Sequence, residues 1–203
     1  MKHQQMRKDL NILNKAFALL PDGACPDNEA TALIRLKKGC DGHSDWRALR
    51  MFFDRYQLEV IGSRRCPLDR QIEYFVCGNR DSFSEFELRL PALNSNTKGV
   101  GGINRIERIL DFPASQKSAS ITDDGDLAIS VSLHAKEGDG FSEQFFRYLR
   151  SNGILRIKKP RASGGITYFS LMIDSYRLLD IARFTRVRSV RKEAVITLRG
   201  SAA

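Results

Sequence analysis

The chain has 203 residues, with 33 lysines and arginines against 24 aspartates and glutamates, for a net charge of +9. A hydrophobic fraction of 42% is enough for a packed core and excludes global disorder. No apolar run approaches the roughly 20 residues of a membrane-spanning helix, and residues 1–20 lack a secretory pattern. We therefore expect an intracellular protein of the cytoplasm, nucleoid or organelle matrix, neither secreted nor membrane-bound. The positive charge favours nucleic acid as a partner.

The first half of the chain predicts a helix followed by strands and two further helices. Apolar residues at helical spacing end at Pro21-Asp22-Gly23, which predicts an N-terminal amphipathic helix. Alternating apolar residues predict strands, and apolar residues at helical spacing predict helices. The elements expected after the first helix are a strand at 32–37, a helix after Ser44, a hairpin of strands 58–61 and 72–75, and a helix at 82–90.

The second half repeats this order. The expected elements are a helix at 103–110, a strand at 117–122, a strand at 127–133, a helix from Phe141 to Asn152-Gly153, a hairpin of strands 154–157 and 166–169, a helix at 176–184 and a final strand at 193–199. An Asp-Gly pair at 124–125 is typical of the turn between the first two strands. The repeat indicates an internal duplication.

The duplication predicts the domain organisation. Residues 1–92 form the first half, the Asn- and Gly-rich segment 93–102 is a linker, and residues 103–203 form the second half with a basic C-terminal segment. The expected fold class is α+β, with two pseudo-symmetric halves that each run α-β-β-α-β-β-α. We expect a monomer with pseudo-twofold symmetry.

This architecture resembles the LAGLIDADG homing-endonuclease fold, as a divergent or degenerate member. The segment 18–23, Ala-Leu-Leu-Pro-Asp-Gly, resembles the end of the family's motif, and the segment 109–113, Ile-Leu-Asp-Phe-Pro, matches it loosely. The resemblance implies that the acid ending the first helix of each half binds Mg²⁺ at the scissile phosphates. Asp22 and Asp111 are then the catalytic metal ligands, with Asp124 as the alternate.

The resemblance implies a protein that binds double-stranded DNA and hydrolyses phosphodiesters with Mg²⁺. Basic residues on a predicted strand, at the two hairpin turns and in the C-terminal segment are the candidates for phosphate contact. These candidates are Arg35, Lys37, Arg64, Arg65, Arg156, Lys158, Lys159, Arg161, Arg186, Arg188, Arg191 and Lys192.

Two other functions fit the same sequence. The second half, with its final strand, also fits the ferredoxin-like order β-α-β-β-α-β. Two such domains in tandem would bind RNA through their sheet faces without catalysis. Tyr74, Phe75, Tyr168 and Phe169 are then the candidate stacking residues, and strand alternation sends only one of each adjacent pair outward. The last alternative is a non-enzymatic regulatory or interaction protein.

Overall fold

A computed structural model describes residues 3–40, 44–66, 69–93, 96–97, 100–135 and 138–193 of the chain. The chain divides into two compact units, Met1–Phe112 and Pro113–Ala203. Each unit contains a four-stranded antiparallel sheet, so the α+β class with two similar halves is confirmed.

The strands are β1 (Glu29–Leu36), β2 (Glu59–Arg65), β3 (Ile72–Asn79), β4 (Ile106–Asp111), β5 (Asp126–Leu133), β6 (Arg161–Ser163), β7 (Ile166–Asp174) and β8 (Val187–Lys192). The helices are α1 (Gln4–Ala18), α2 (Ser44–Phe53), α3 (Arg80–Arg89), α4 (Val100–Ile103), α5 (Ala114–Lys117), α6 (Phe141–Ser151) and α7 (Leu178–Arg183). Short 3-10 turns lie at Asp22–Ala24, Pro26–Asn28, Asp54–Tyr56, Leu90–Ala92 and Ser175–Arg177.

Both sheets have the same strand order. The first runs β2-β3-β1-β4 and the second β6-β7-β5-β8. With one helix before and one helix after each central hairpin, both units have the ferredoxin-like arrangement β-α-β-β-α-β. In this arrangement the helices cover one face of the sheet, and the opposite face is available for other contacts.

The helix-covered face forms the core of each unit, because strand side chains alternate between the two faces. In the first unit, Ala32, Ile34 and Val76 are buried against α1, α2 and α3. In the second unit, the ring of Phe145 lies 5.0 Å from the ring of Phe169, in an edge-to-face pair between α6 and β7. Leu127, Ile129, Val131 and Leu133 of β5 point the same way and are buried.

The N-terminal helix α1 also protects the edge of the first sheet. The carboxylate of Asp9, buried on α1, accepts hydrogen bonds from the Ile109 backbone N–H at 3.0 Å and from Arg108 Nε at 2.9 Å. The hydrogen bond that Arg108 donates to Asp9 raises the pKa of Arg108. An edge strand with unpaired N–H groups invites pairing with other chains, so this contact satisfies a donor that the sheet leaves open.

The segment 103–110 was predicted as a helix, but most of it belongs to the strand β4. It contributes β4, which pairs with β1 so that Ile109 lies opposite Ile34. A bulge in this pairing inserts Glu107 between Arg108 and Ile106, which brings Ile106 and Ile109 to the buried side. Because of the bulge, Ile106 and Ile109 lie three residues apart on the same side, which is the spacing expected of a helix. Residues 103–112 therefore belong to the first unit, and the segment 93–102 precedes its last strand.

Within the described residues, two predicted strands are absent from their expected places. Residues 114–117 form the helix α5, and the buried Lys117 Nζ donates a hydrogen bond to the Phe184 carbonyl at 3.0 Å. In the segment 154–157, Ile157 makes an isolated bridge to Leu171, and the regular strand β6 begins only after Pro160, which has no N–H for a ladder. Residues 194–199 of the predicted final strand lie outside the described residues.

Candidate nucleic-acid interface

The face of the second sheet that points away from α6 and α7 carries a concave, polar and basic surface. We call it the open face of the second sheet. It is defined by Ser130, Ser132, Arg161, Tyr168, Ser170, Arg188, Ser189 and Arg191. A hollow of about 340 Å³ occupies its centre.

Strand pairing places these side chains in two rows across the sheet. Arg161 on β6, Tyr168 on β7, Ser132 on β5 and Ser189 on β8 are consecutive partners, so they form one row. Neighbouring strands are about 4.8 Å apart, which makes the row about 14 Å wide. Ser132 Oγ and Ser189 Oγ are 2.7 Å apart and share a hydrogen bond.

The second row lies two residues further along the strands. Ser170 on β7 faces Ser130 on β5, and Ser130 faces Arg191 on β8. Lys158 lies beside this row, since its backbone N–H donates to the Ser170 carbonyl at 3.0 Å. Its ammonium reaches Glu193, at 3.9 Å between Nζ and Oε2. The open face therefore has hydroxyl groups at its centre and cations toward its edges.

Tyr168 is the aromatic side chain of this surface. It is 42% exposed, whereas the adjacent Phe169 is buried in the core, as strand alternation requires. In the first unit, Tyr74 and Phe75 are both buried, so neither is available as a stacking residue. Of the four aromatic candidates, Tyr168 alone is presented to a ligand.

Two basic side chains of the second unit, Arg186 and His134, are buried. The Arg186 guanidinium lies 3.6 Å from the centre of the Phe141 ring and is buried. Burial, together with the positive charges of Arg188, Arg186 and Lys117, lowers the pKa of His134 to about 3. His134 is thus a neutral imidazole at neutral pH and adds no charge to the surface.

Three of the four candidate cations of the first unit, Arg35, Arg64 and Lys37, bind protein groups instead. The carboxylate of Glu73, which is buried, accepts from Arg35 Nη2 at 2.6 Å and from Arg64 Nε at 2.7 Å. The hydrogen bond with Glu73 raises the pKa of Arg35. Lys37 donates to the Asn104 carbonyl at 2.6 Å, while Arg65 is exposed at the end of β2.

The remaining candidate cations lie in the second unit. Lys192 pairs with Asp123 at 3.0 Å, whereas Arg156, Lys159 and Arg161 are exposed. The four serines of the open face were not predicted as binding residues. For Ser130 and Ser132 a signal was present in the polar positions of the alternating segment Ile129-Ser-Val-Ser-Leu133, which predicted only a strand.

The structure gives the three candidate acids different surroundings. Asp22 is fully exposed in a 3-10 turn, with its carboxylate 3.7 Å from Arg80 Nη2. Asp111 lies at the end of β4 and accepts from the Phe112 N–H at 2.7 Å, and Asp124 is exposed in the turn before β5. Within the described residues, no three His, Cys, Asp or Glu side chains form a group that could hold a metal ion.

No protein-family model and no curated protein matches the chain. Solved structures similar to it include aspartokinase alpha and beta subunits, at 17% identity over 77% of this chain and 88% of that one, with a TM-score of 0.28. A microcompartment protein from Desulfitobacterium hafniense DCB matches at 11% identity over 81% and 93%, with a TM-score of 0.30. A protein described as a glycine cleavage system transcriptional repressor matches at 12% identity over 81% and 96%, with a TM-score of 0.24.

The prediction of a DNA-binding homing endonuclease is wrong. The resemblance requires a helix ending at Asp111, and the structure has the strand β4 there, paired into the first sheet. The ferredoxin-like strand order fits the alternative of a tandem module without catalysis. In the described part of the chain, no helix has the length and hydropathy needed to cross a membrane.

Proposed function

We propose that the protein is a non-catalytic module that binds single-stranded RNA on the open face of the second sheet. The observation that carries the proposal is the half-exposed ring of Tyr168 in a row with Arg161, Ser132 and Ser189. An exposed aromatic ring on a sheet face stacks on a base, and every base offers such a face.

The polar groups around Tyr168 complement the other parts of a nucleotide. Serine hydroxyls both donate and accept hydrogen bonds, so Ser130 and Ser132 suit the ribose 2′-OH and base edges. Arg161 and Arg191 lie on opposite edges of the sheet, where their guanidinium groups suit backbone phosphates. This arrangement favours RNA over DNA through the 2′-OH, and single strands over duplex because duplex bases are already stacked.

Fluorescence anisotropy with a labelled 12-nucleotide RNA of A, C and U tests the proposal. We expect the RNA to bind more tightly than the DNA strand of the same sequence, and both to bind more tightly than duplex DNA. Tyr168→Ala should weaken RNA binding by about tenfold or more, since stacking contributes about 1–3 kcal/mol per base. Tyr168→Phe keeps the ring and should remain within about threefold of the parent.

Leu179→Ala is the matched control, because Leu179 is a large apolar residue of the same unit, 46% exposed on α7 and outside the open face. It should leave the affinity for this RNA unchanged. Equal affinity for single-stranded RNA and duplex DNA, or equal losses in Tyr168→Ala and Leu179→Ala, would contradict the proposal. The remaining function would then be a protein-interaction module.

A further inference from the structure

A second cavity lies in the same unit, where β5 begins and β7 ends. Its volume is about 380 Å³, within the roughly 300–1,000 Å³ of small-ligand pockets. Its lining comes from the two strand ends, from the segment that follows α6 and from the turn that follows β7. The lining includes Asp126, Leu155, Arg156, Met172, Asp174, Tyr176 and Arg177.

Two carboxylates stand opposite each other in this cavity. Asp126 and Asp174 are direct partners in the pairing of β5 with β7, and like charges in that position destabilise a sheet. Asp174 also occupies the N-cap position of the following 3-10 turn, yet its side chain makes no capping hydrogen bond. Within the described residues, neither carboxylate has a hydrogen-bond or ion-pair partner. Both acceptors are therefore available to donor groups of a ligand.

Cations and exposed apolar groups complete the walls. Arg156 contributes an exposed guanidinium, and the Arg177 guanidinium lies 5.0 Å from the centre of the Tyr176 ring. Met172 is 40% exposed and Leu155 is 75% exposed, although both are apolar. The cavity thus combines acceptors for N–H groups, cations for an anion and apolar surface for a flat ring.

We infer that this cavity binds a guanine nucleotide. A carboxylate only accepts hydrogen bonds, and guanine alone among the RNA bases offers two adjacent donors, N1–H and the N2 amino group, on its Watson–Crick edge. Asp174 is the acceptor, since it lies two residues from both Met172 and Tyr176, whose exposed side chains cover the base. Arg156 and Arg177 hold the phosphate.

The cavity continues the open face of the second sheet. Met172 lies on the same side of β7 as Ser170 and Tyr168, and Asp174 follows on that side. The distance from Tyr168 to Asp174 along the strand is about 20 Å. A strand of RNA that crosses the open face would therefore place a further nucleotide in the cavity. In this form the inference rests on the proposed function and assigns a base preference to it.

The first test uses mononucleotides and the unaltered protein. Calorimetric titration should show binding of 5′-GMP, with 5′-IMP weaker by about tenfold because it lacks the N2 amino group and leaves half of the carboxylate unpaired. 5′-AMP and 5′-CMP should bind more weakly still. Equal affinity for GMP and IMP would overturn the inference without any variant.

Variants then assign the carboxylate. Asp174→Asn should lose GMP affinity by at least about tenfold and gain affinity for 5′-XMP, whose C2 carbonyl accepts from the new amide. Asp126→Asn is the matched control, because it removes the opposite carboxylate, and it should keep the preference for GMP over IMP. Loss of GMP binding without a gain for XMP, or the same specificity change in both variants, would contradict the assignment of Asp174.

RNA separates this inference from the proposed function. Replacing one guanosine by inosine in a 12-nucleotide RNA should weaken binding to the parent and leave binding to Asp174→Asn unchanged. If RNA binding depends on Tyr168 but is insensitive to this replacement, the proposed function stands and the guanine inference fails. If GMP binds through Asp174 while RNA does not bind, the cavity is a site for free nucleotide and the proposed function fails.

Discussion

The two sheets share one topology but differ at the face that points away from the helices. In the first sheet this face is filled by the chain itself, where Leu33, Phe75 and Phe112 form an apolar cluster. The Arg64 guanidinium lies 4.9 Å from the centre of the Phe112 ring and also binds Glu73. In the second sheet the corresponding face carries serines and an exposed tyrosine. The same fold therefore closes one face and leaves the other available.

This difference shows why net charge alone does not locate a binding surface. Arg35 and Arg64 contribute two of the positive charges, yet both are bound to one buried carboxylate, that of Glu73. Arg161 and Arg191 contribute the same charges on an exposed surface. The position of a cation relative to the nearest acid decides whether it is available for phosphate.

The largest effect is expected from breaking the closed face of the first sheet. Glu73→Ala leaves Arg35 and Arg64 without their buried partner, and loss of such a partner costs about 3 kcal/mol or more of unfolding free energy. Urea unfolding followed by NMR signals of the first unit measures this loss. RNA affinity at the second unit should not change.

Glu85→Ala is the control for this measurement. Glu85 pairs with Arg89 at 3.3 Å on an exposed helix surface, and such pairs contribute about 0–1 kcal/mol. If Glu73→Ala and Glu85→Ala lose the same unfolding free energy, the ion pairs of Glu73 do not hold the closed face together.

The next effect is a dependence of stability on pH that we expect in the second unit. The pKa of His134 is about 3 in the folded second unit, below the value of about 6.5 in an unfolded chain. As the pH falls below about 6.5, the unfolded chain binds a proton that the folded unit does not, so the unit becomes less stable. Between pH 7 and pH 5 the loss should be about 2 kcal/mol, at about 1.4 kcal/mol per pH unit.

Urea denaturation followed by NMR signals of the second unit measures this loss, with NMR signals of the first unit as the reference. His134→Gln should remove most of the dependence, because glutamine does not titrate. A His134→Gln protein that keeps the full pH dependence would show that another group in the second unit is responsible.

The sequence predicts which segments form strands better than it predicts which strands pair with each other. Alternating residue types identified β1, β5 and β7. In β7 buried and more exposed residues follow in turn, whereas β1 is buried on both faces. It failed at β4, where a bulge at Glu107 gives Ile106 and Ile109 the spacing of a helix. Bulges depend on pairing with a distant strand, and one segment read alone contains no information about that pairing.

The same limit applies to the candidate site. Arg35 and Arg64 are typical phosphate-binding residues in sequence, and only the pairing of β1 and β2 with β3 brings both beside Glu73. Tyr168 could be predicted to point outward, since Phe169 is the more apolar of the two. Its neighbours Ser132 and Ser189 could not, because they come from strands distant in the chain.

A smaller effect separates the arginines of the two faces. Arg191→Ala should weaken RNA binding by about fivefold, which corresponds to about 1 kcal/mol for an exposed charge pair. It should also lower the slope of log affinity against log salt by about 0.7, the value for one phosphate of a single strand. Arg64→Ala should leave affinity and slope unchanged and instead destabilise the first unit.

Arg147→Ala controls for the loss of a positive charge in the second unit, since Arg147 is exposed on α6, on the other side of the sheet. Anisotropy titrations at several salt concentrations measure all three variants. A salt slope lowered equally by Arg147→Ala and Arg191→Ala would indicate attraction by net charge, without a phosphate contact on the open face.

The smallest effect comes from the acid that lies beside the open face. Glu193 forms an ion pair with Lys158, as Glu73 does with Arg64. The Lys158 side chain is 77% exposed, however, and Nζ lies 3.9 Å from Oε2 of Glu193. The pair therefore contributes less than about 0.5 kcal/mol to stability. Glu193→Gln releases Lys158 and removes a negative charge, so RNA affinity should rise by about twofold. Anisotropy at low salt measures this gain, and Glu143→Gln on α6 is its matched control. A loss of affinity in Glu193→Gln would mean that the carboxylate itself binds the RNA. The open face would then recognise donor groups of the bases at this edge, and Lys158 would position Glu193 instead of contacting phosphate.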